Sequence, residues 1–234
     1  MVDFHSHILP AMDDGSKSVE ESLELLHLLK NQGVETVVAS SHYYPEIEAV
    51  EEFLSRRKKS FNSLSSVLAN DLPEIVLGAE VKFYPGISRM TDIEKLCIEG
   101  TNLLLLEMPF CYWTEFTVKE VINLSNMKNL KIVLAHIDRY LSFQNDAIWR
   151  RLLENGILMQ VNADSFLNFF TRIKIMSFIK NQYIHFLGSD CHNLISRSPK
   201  IGDAAKIVSK KMGVDYINFM TDFALNVLNR PKNQ

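Results

Sequence analysis

Residues 132–139 read Ile-Val-Leu-Ala-His-Ile-Asp-Arg, a short apolar run that stops abruptly on His136, Asp138 and Arg139. The run is too short for a helix and does not alternate with polar residues. It therefore reads as a strand buried on both faces, as in a parallel sheet. The same figure recurs along the chain. Val2–Phe4 leads to His5 and His7, then Asp13 and Asp14. Thr36–Ala39 leads to His42, Ile75–Leu77 to Glu80, and Leu103–Leu106 to Glu107. Ile157–Val161 leads to Asn162 and Asp164, and His185–Gly188 to Asp190 and His192. Helical patterns lie between the runs. Ser18-Val19-Glu20-Glu21 has the form of a capping box, Leu23, Leu26 and Leu29 follow at helical spacing, and Gly33 stands just past the end. Ile47, Val50, Leu54, Phe61, Leu64 and Leu68 predict a second, longer helix. Further helices are expected near 89–99, 117–128, 144–155, 165–181, 199–212 and at the C-terminus. Strand, helix, strand, repeated about seven times, predicts α/β with a parallel sheet. The closed solution is a barrel and the open one a doubly wound sheet.

Length and composition narrow what such a chain can do. Its 234 residues suit one domain, taken as 1–234, with a full core. With 25 Lys+Arg against 28 Asp+Glu the formal charge is -3, which gives no reason to expect nucleic-acid binding. Cys97, Cys111 and Cys191 are too few for a disulfide framework and suit a cytoplasmic protein. The start, MVDFHSHILPAMDDG, lacks the features of a signal peptide, and no run approaches the roughly 18 apolar residues of a membrane span. No Gly-rich phosphate loop is present, and no Cys-x5-Arg arrangement supports thiol chemistry. Arg56-Arg57-Lys58-Lys59 falls on the long helix and is read as its solvated face.

The polar residues carry the functional signal. In a parallel barrel the C-terminal ends of the strands share one face, where sites are built. Five of the seven His follow strand ends, and four carboxylates join them. The candidate ligands are His5, His7, Asp14, His42, Glu80, Glu107, His136, Asp190 and His192. Imidazole and carboxylate are the usual protein ligands of zinc, manganese and iron in hydrolytic sites. Any one of these residues alone reads as well as a cap or a packing residue. As a set they exceed one tetrahedral site and point to two or three metals. Three divalent ions outweigh four carboxylates, so the pocket would be locally cationic and suited to phosphate.

HSH, SHYYP, GAE, LLLLEMP, AHIDRY and SDCH, in this order, resemble the polymerase and histidinol phosphatase (PHP) superfamily. The start HSHILPAMDDGSKSVEESLELL is especially similar to the capsule-regulating protein-tyrosine phosphatases of Gram-positive bacteria. The likeness runs from Met1 to about Val208. It implies a distorted (β/α)7 TIM-like barrel with a trinuclear site. His5, His7, Glu80 and Asp190 would hold the first metal. Glu80 would bridge to a second, held also by Glu107 and His136. Asp14, His42 and His192 would hold the third. It further implies Arg139 and Arg197 on the phosphoryl oxygens and manganese as the metal, with zinc or iron as alternatives. Tyr43-Tyr44-Pro45 after His42, and Ile137-Asp138 after His136, depart from relatives and bear on substrate preference.

The resemblance implies hydrolysis of phosphotyrosine by metal-activated hydroxide, on an autophosphorylated bacterial tyrosine kinase that controls exopolysaccharide synthesis. Tyr43, Tyr44, Phe110, Tyr112 and Trp113 follow the second and fourth strand ends, where they would line a slot for an aromatic ring; packing beneath loops is the alternative. Two other functions compete: a small-molecule phosphatase, such as one acting on histidinol phosphate, and a metal-stabilised interaction module without turnover. The acidic helix at 17–32 leaves a homo-oligomer open, since relatives assemble through that region.

Overall fold

The computed structural model describes residues 1–229. Its strands are β1 (Val2–Ser6), β2 (Thr36–Ala39), β3 (His42–Tyr43), β4 (Glu74–Leu77), β5 (Glu80–Lys82), β6 (Leu103–Glu107), β7 (Lys131–Leu134), β8 (Leu158–Asn162) and β9 (Phe186–Gly188). Its helices are α1 (Val19–Asn31), α2 (Val50–Ser65), α3 (Glu115–Lys128), α4 (Asp146–Glu154), α5 (Phe169–Lys180), α6 (Ile201–Met212) and α7 (Val214–Val227). All strand pairs are parallel, in the orders β1-β2-β4 and β3-β5-β6-β7-β8-β9. The two orders are one curled sheet, because β2 runs on into β3 and β4 into β5. Gly78 N donates to Ala39 O at 2.9 Å and Glu80 N to Ser41 O at 3.0 Å, which carries the pairing across both breaks. Past its last strand the chain returns to the first: Asp190 N donates to His5 O at 2.7 Å and His7 N to Cys191 O at 3.0 Å.

The strands are apolar because both faces are covered. Leu104, Leu106, Ile132, Leu134, Met159 and Val161 pack with the helices in one cluster. Val2, Phe4, Val38, Leu105, Val133 and Phe186 fill another. Phe4 stacks on Phe186 with ring centroids 3.8 Å apart. The helices pack as amphipathic elements, α1 burying Leu25, Leu26 and Leu29. Among the described residues no helix is long and apolar enough to cross a membrane.

Four local expectations need correction. Residues 89–99 form no α-helix but two short 3-10 turns, Ile87–Arg89 and Ile93–Leu96, entered through left-handed residues Gly86 and Asp92. The second helix starts only at Val50, since Pro45 breaks the chain before it, and Ile47 is 71% exposed. Ser18 caps α1 through Glu21 N, but the Glu21 carboxylate accepts from Lys17 N instead of Ser18 N, so the box is half made. The basic run is not merely solvated: Arg57 donates to Gly78 O at 2.7 Å and Arg56 to Met12 O at 3.0 Å, anchoring α2 to the sheet.

His185, at the start of β9, should make acid stability pH-dependent. Met159 N donates to its Nδ1 at 3.1 Å, which requires a bare nitrogen. Burial lowers its pKa from 6.5 to about 4. Between these values the unfolded chain binds the extra proton. The contribution is therefore complete above pH 6.5 and lost as pH falls towards 4, by at most about 3 kcal/mol. In denaturant melts from pH 4 to 7, His185→Gln should lose less stability on acidification than the parent. Equal slopes would refute the assignment.

Candidate metal centre

The nine candidate ligands converge, although β1, the β2–β3 and β4–β5 paths, β6, β7 and β9 deliver them separately. Glu80 is central. Its Oε2 lies 3.1 Å from His5 Nε2, 3.3 Å from His7 Nε2 and 3.0 Å from His42 Nδ1, and its Oε1 lies 2.8 Å from His136 Nε2. Asp190 Oδ1 stands 3.7 Å from His5 Nε2 and 3.5 Å from His7 Nε2. Asp14 Oδ1 is 3.5 Å from His42 Nε2 and 3.3 Å from His192 Nε2. Glu107 Oε1 is 3.5 Å from His136 Nε2. Three groups have donor atoms within 4.8 Å of one another: His5, His7 and Asp190; His42, Glu80 and Glu107; and His7, Asp14, His42 and His192. Their membership overlaps, with His7 and His42 each standing between two groups.

Backbone geometry makes this convergence possible. His136 and Asp190 adopt left-handed conformations, φ 33° and 51°, at the ends of β7 and β9. Such strain costs on the order of 1 kcal/mol or more per residue and collects at functional sites. Gly15 and Gly188 leave room for the approach. A Cβ on Gly15 would stand 2.3 Å from His7 O, and one on Gly188 would stand 2.7 Å from His5 Cβ.

The protonation pattern shows that the residues fit a cation. Gln160 Oε1 accepts from His136 N at 2.6 Å, so it is the carbonyl end of the amide, and it also faces His5 Nδ1 at 3.2 Å. Asp13 Oδ2 faces His7 Nδ1 at 2.8 Å. Both partners can only accept, so both Nδ1 atoms carry hydrogen. Without a further proton, the two rings aim bare Nε2 atoms at each other across 3.1 Å. Such an arrangement needs a positive charge between them, and acceptor-bound imidazoles of this kind are typical metal ligands. The buried His136 Nδ1 and His192 Nε2 have no hydrogen-bond partner, and His42 Nδ1 lies near Glu80 without hydrogen-bond alignment.

Electrostatics agree. Burial opposes charge on His7, but Asp13 and Glu80 outweigh it and raise the pKa well above 6.5, so a proton can take the cation's place. His136 behaves alike: burial lowers its pKa, and hydrogen bonds to Glu107 and Glu80 raise it to about 9. Burial would raise Glu80, yet His5, His136 and His42 hold it ionised far below 4.5. Burial likewise opposes ionisation of Asp190, but His5, His7 and Arg139 keep it ionised. His192 falls to about 3 through burial and repulsion from His7.

Arg139 and Arg197 stand at the mouth, with side chains 34% and 35% exposed. Both donate to Asp190, Arg139 Nη2 to Oδ2 and Arg197 Nη2 to Oδ1, the latter at 2.8 Å. The aromatic candidates divide. Tyr44 stacks on His42 with centroids 5.2 Å apart, Phe110 stacks on His136 at 6.0 Å, and Tyr112 is exposed. Tyr43 and Trp113 are packed beneath loops, the alternative left open for them, instead of facing the cluster's solvent side. Tyr43 is buried, donates to Glu48 O and packs edge-on against Phe53. Trp113 is buried against Tyr140 and Trp149 and donates to Pro109 O. For both, burial of a large ring outweighs exposure at a strand end.

Several contributors carry little signal in the sequence. Asp13 orients His7 and accepts from His42 N at 2.9 Å, next to the candidate ligand Asp14. Gln160 holds His5 and His136 and donates to Asn162 Oδ1, and Asn162 donates to Asp190 Oδ2 at 2.8 Å. Asp3 accepts from Ser189 N and Oγ, tying β1 to the end of β9; burial raises its pKa to about 6. The signal that could have found them is period two, because Asp3 and Gln160 stand two residues before His5 and Asn162 inside apolar runs.

The family model described as "Capsular polysaccharide synthesis, CpsB/CapC" matches residues 1–228. The chain is 35% identical over 235 residues to the tyrosine-protein phosphatase CpsB of Streptococcus pneumoniae, covering 91% of each. It is 28% identical to the tyrosine-protein phosphatase YwqE of Bacillus subtilis, over 96% of this chain and 90% of that one. In fold it matches a solved structure from work on YwqE and CpsB, described as unique metal-dependent tyrosine phosphatases. The TM-score is 0.80 at 24% identity, over 100% of this chain and 96% of that one. A TatD-family hydrolase from Entamoeba histolytica shares the fold more loosely, with a TM-score of 0.60 at 10% identity over 97% of each chain.

Proposed function

The chain belongs to the CpsB/CapC capsular polysaccharide synthesis family, and from that membership we propose that it is a metal-dependent protein-tyrosine phosphatase acting in capsule synthesis. The observation that carries the chemistry is the pair of acceptor-fixed imidazoles, His5 and His7, facing each other beside Glu80 and beneath two arginines. The ligands are His5, His7, Asp14, His42, Glu80, Glu107, His136, Asp190 and His192, holding two or three divalent ions, manganese first. Such ions supply Lewis acidity, which ionises water near neutral pH and stabilises charge on phosphoryl oxygens. The scaffold is read as a closed, distorted (β/α)7 barrel in a single domain, working in the cytoplasm.

The side chains divide the remaining work. Asp13 and Gln160 hold protons on the Nδ1 atoms of His7 and His5, which keeps the Nε2 atoms free for metal. The Arg139 and Arg197 forks match pairs of phosphoryl oxygens, and each binds Asp190 through one nitrogen. Tyr44 and Phe110 stack on the cluster imidazoles His42 and His136, and these rings would meet the phenyl ring of the substrate. A phenol leaves readily, with a pKa of about 10, so no general acid is assigned. The partner is a phosphotyrosine protein, taken to be an autophosphorylated tyrosine kinase.

Manganese-loaded protein should release phosphate rapidly from a phosphotyrosine peptide and slowly from histidinol phosphate. The reverse ranking would make it a small-molecule phosphatase, and no turnover on either would leave a binding module. Phe110→Ala should raise KM for the peptide about 3- to 10-fold, as one lost aromatic contact predicts, with kcat little changed. An unchanged KM would remove Phe110 from the site.

A further inference from the structure

The far wall of the molecule carries a second surface that the phosphatase reading does not use. Helices α5 and α6 leave between them a groove of about 710 Å³ lined by Phe169, Ile173, Met176 and Ile207, with Arg172, Lys180, Lys210 and Lys211 around it. Helix α5 carries large apolar side chains on two sides, interspersed with Arg172, Lys174 and Lys180. Ile175, Phe178 and Ile179 face the core, while Phe169, Phe170 and Ile173 are 59%, 81% and 58% exposed on the other side. Large apolar side chains exposed together on one helix mark a surface that is normally covered. The charge is equally one-sided. Several surface cations elsewhere pair with acids: Lys30 with Glu35, Arg56 with Glu48, Lys82 with Glu46, Lys95 with Glu51. Around the groove four cations stand with no acid in its lining, on a chain whose net charge is -3.

We propose that this groove docks an acidic, amphipathic helical segment of a protein partner. Apolar anchors at i, i+3, i+4 and i+7 would enter between the helices, and flanking Glu or Asp side chains would meet Lys180, Lys210 and Lys211. This is the helix-in-groove mode of recognition. A lipid surface fits less well, because a flat bilayer cannot fill a recess between two helices.

The probe is a synthetic helical peptide of about 16 residues, roughly 24 Å long, with Leu and Phe anchors and Glu flanks. A second peptide carries Lys in place of each Glu. Fluorescence anisotropy should show binding of the acidic peptide that weakens with added salt, and no binding of the basic one. The double variant Lys210→Glu, Lys211→Glu should bind the acidic peptide at least about tenfold more weakly, and Ile173→Asp should lose it. All three positions are exposed, so thermal melts and phosphotyrosine-peptide turnover of both variants should match the parent. Equal binding of both peptides, undiminished binding by the variants, or no binding would overturn the proposal. So would flotation with phosphatidylserine-containing vesicles that is lost in Phe170→Ala, since it would assign the surface to lipid.

Discussion

Glu80→Gln is expected to lower phosphotyrosine-peptide turnover roughly 10³-fold, about 4 kcal/mol in barrier. Glu80 touches four imidazoles, His5, His7, His42 and His136, at 2.8 to 3.3 Å. A glutamine keeps the volume, so the chain should fold. It removes the charge that draws cations to the cluster, and it places an amide NH2 where nitrogen lone pairs converge. Metal analysis of the purified variant should therefore show at least one ion fewer than the parent. Chelation of the parent should reproduce the loss, and manganese should restore activity to the parent but not to the variant. Full activity in the metal-stripped parent would end the metal reading altogether. A variant that keeps its metal yet loses turnover would move Glu80 from holding cations to acting on the substrate.

The strand-end rule made most of this site legible. Short uninterrupted runs such as Leu103–Leu106 and Ile132–Ala135 have no choice but a sheet covered on both faces, and their C-terminal ends share one face. The sequence therefore indicates which residues meet, and the distances around Glu80 show them meeting. Three things were not legible. The β2–β3 and β4–β5 breaks depend on Ser40-Ser41 and Gly78-Ala79, whose irregular pairing exists only once neighbouring strands are in place. Asp13 and Gln160 are marked by position, after a strand and at period two, but not by role, which is defined by partners 6 and 155 residues away. The aromatic residues stay open in the sequence for a related reason: position after a strand says that Tyr43 and Trp113 begin a loop, but not that the loop folds back over them.

Arg139 is where the two roles at the mouth can be separated. Its guanidinium meets the solvent on one side and Asp190 on the other, and Arg197 grips the same carboxylate. Loss of Arg139 can therefore act through the phosphoryl group or through Asp190. Arg139→Met keeps the stem and removes the fork. If the fork binds phosphate, kcat/KM should fall about 10²- to 10³-fold, the range for removing one donor to developing charge. Competitive inhibition by inorganic phosphate should weaken in parallel while metal affinity holds. If the arginine chiefly orients Asp190, the pattern inverts: metal binding weakens first, and excess manganese recovers most of the turnover. Arg139→Lys sharpens the distinction, because a point charge still neutralises Asp190 but cannot match two oxygens at once. Phosphate contact therefore predicts that lysine recovers metal affinity fully and turnover only in part. Full recovery of both by lysine would assign Arg139 to Asp190 alone.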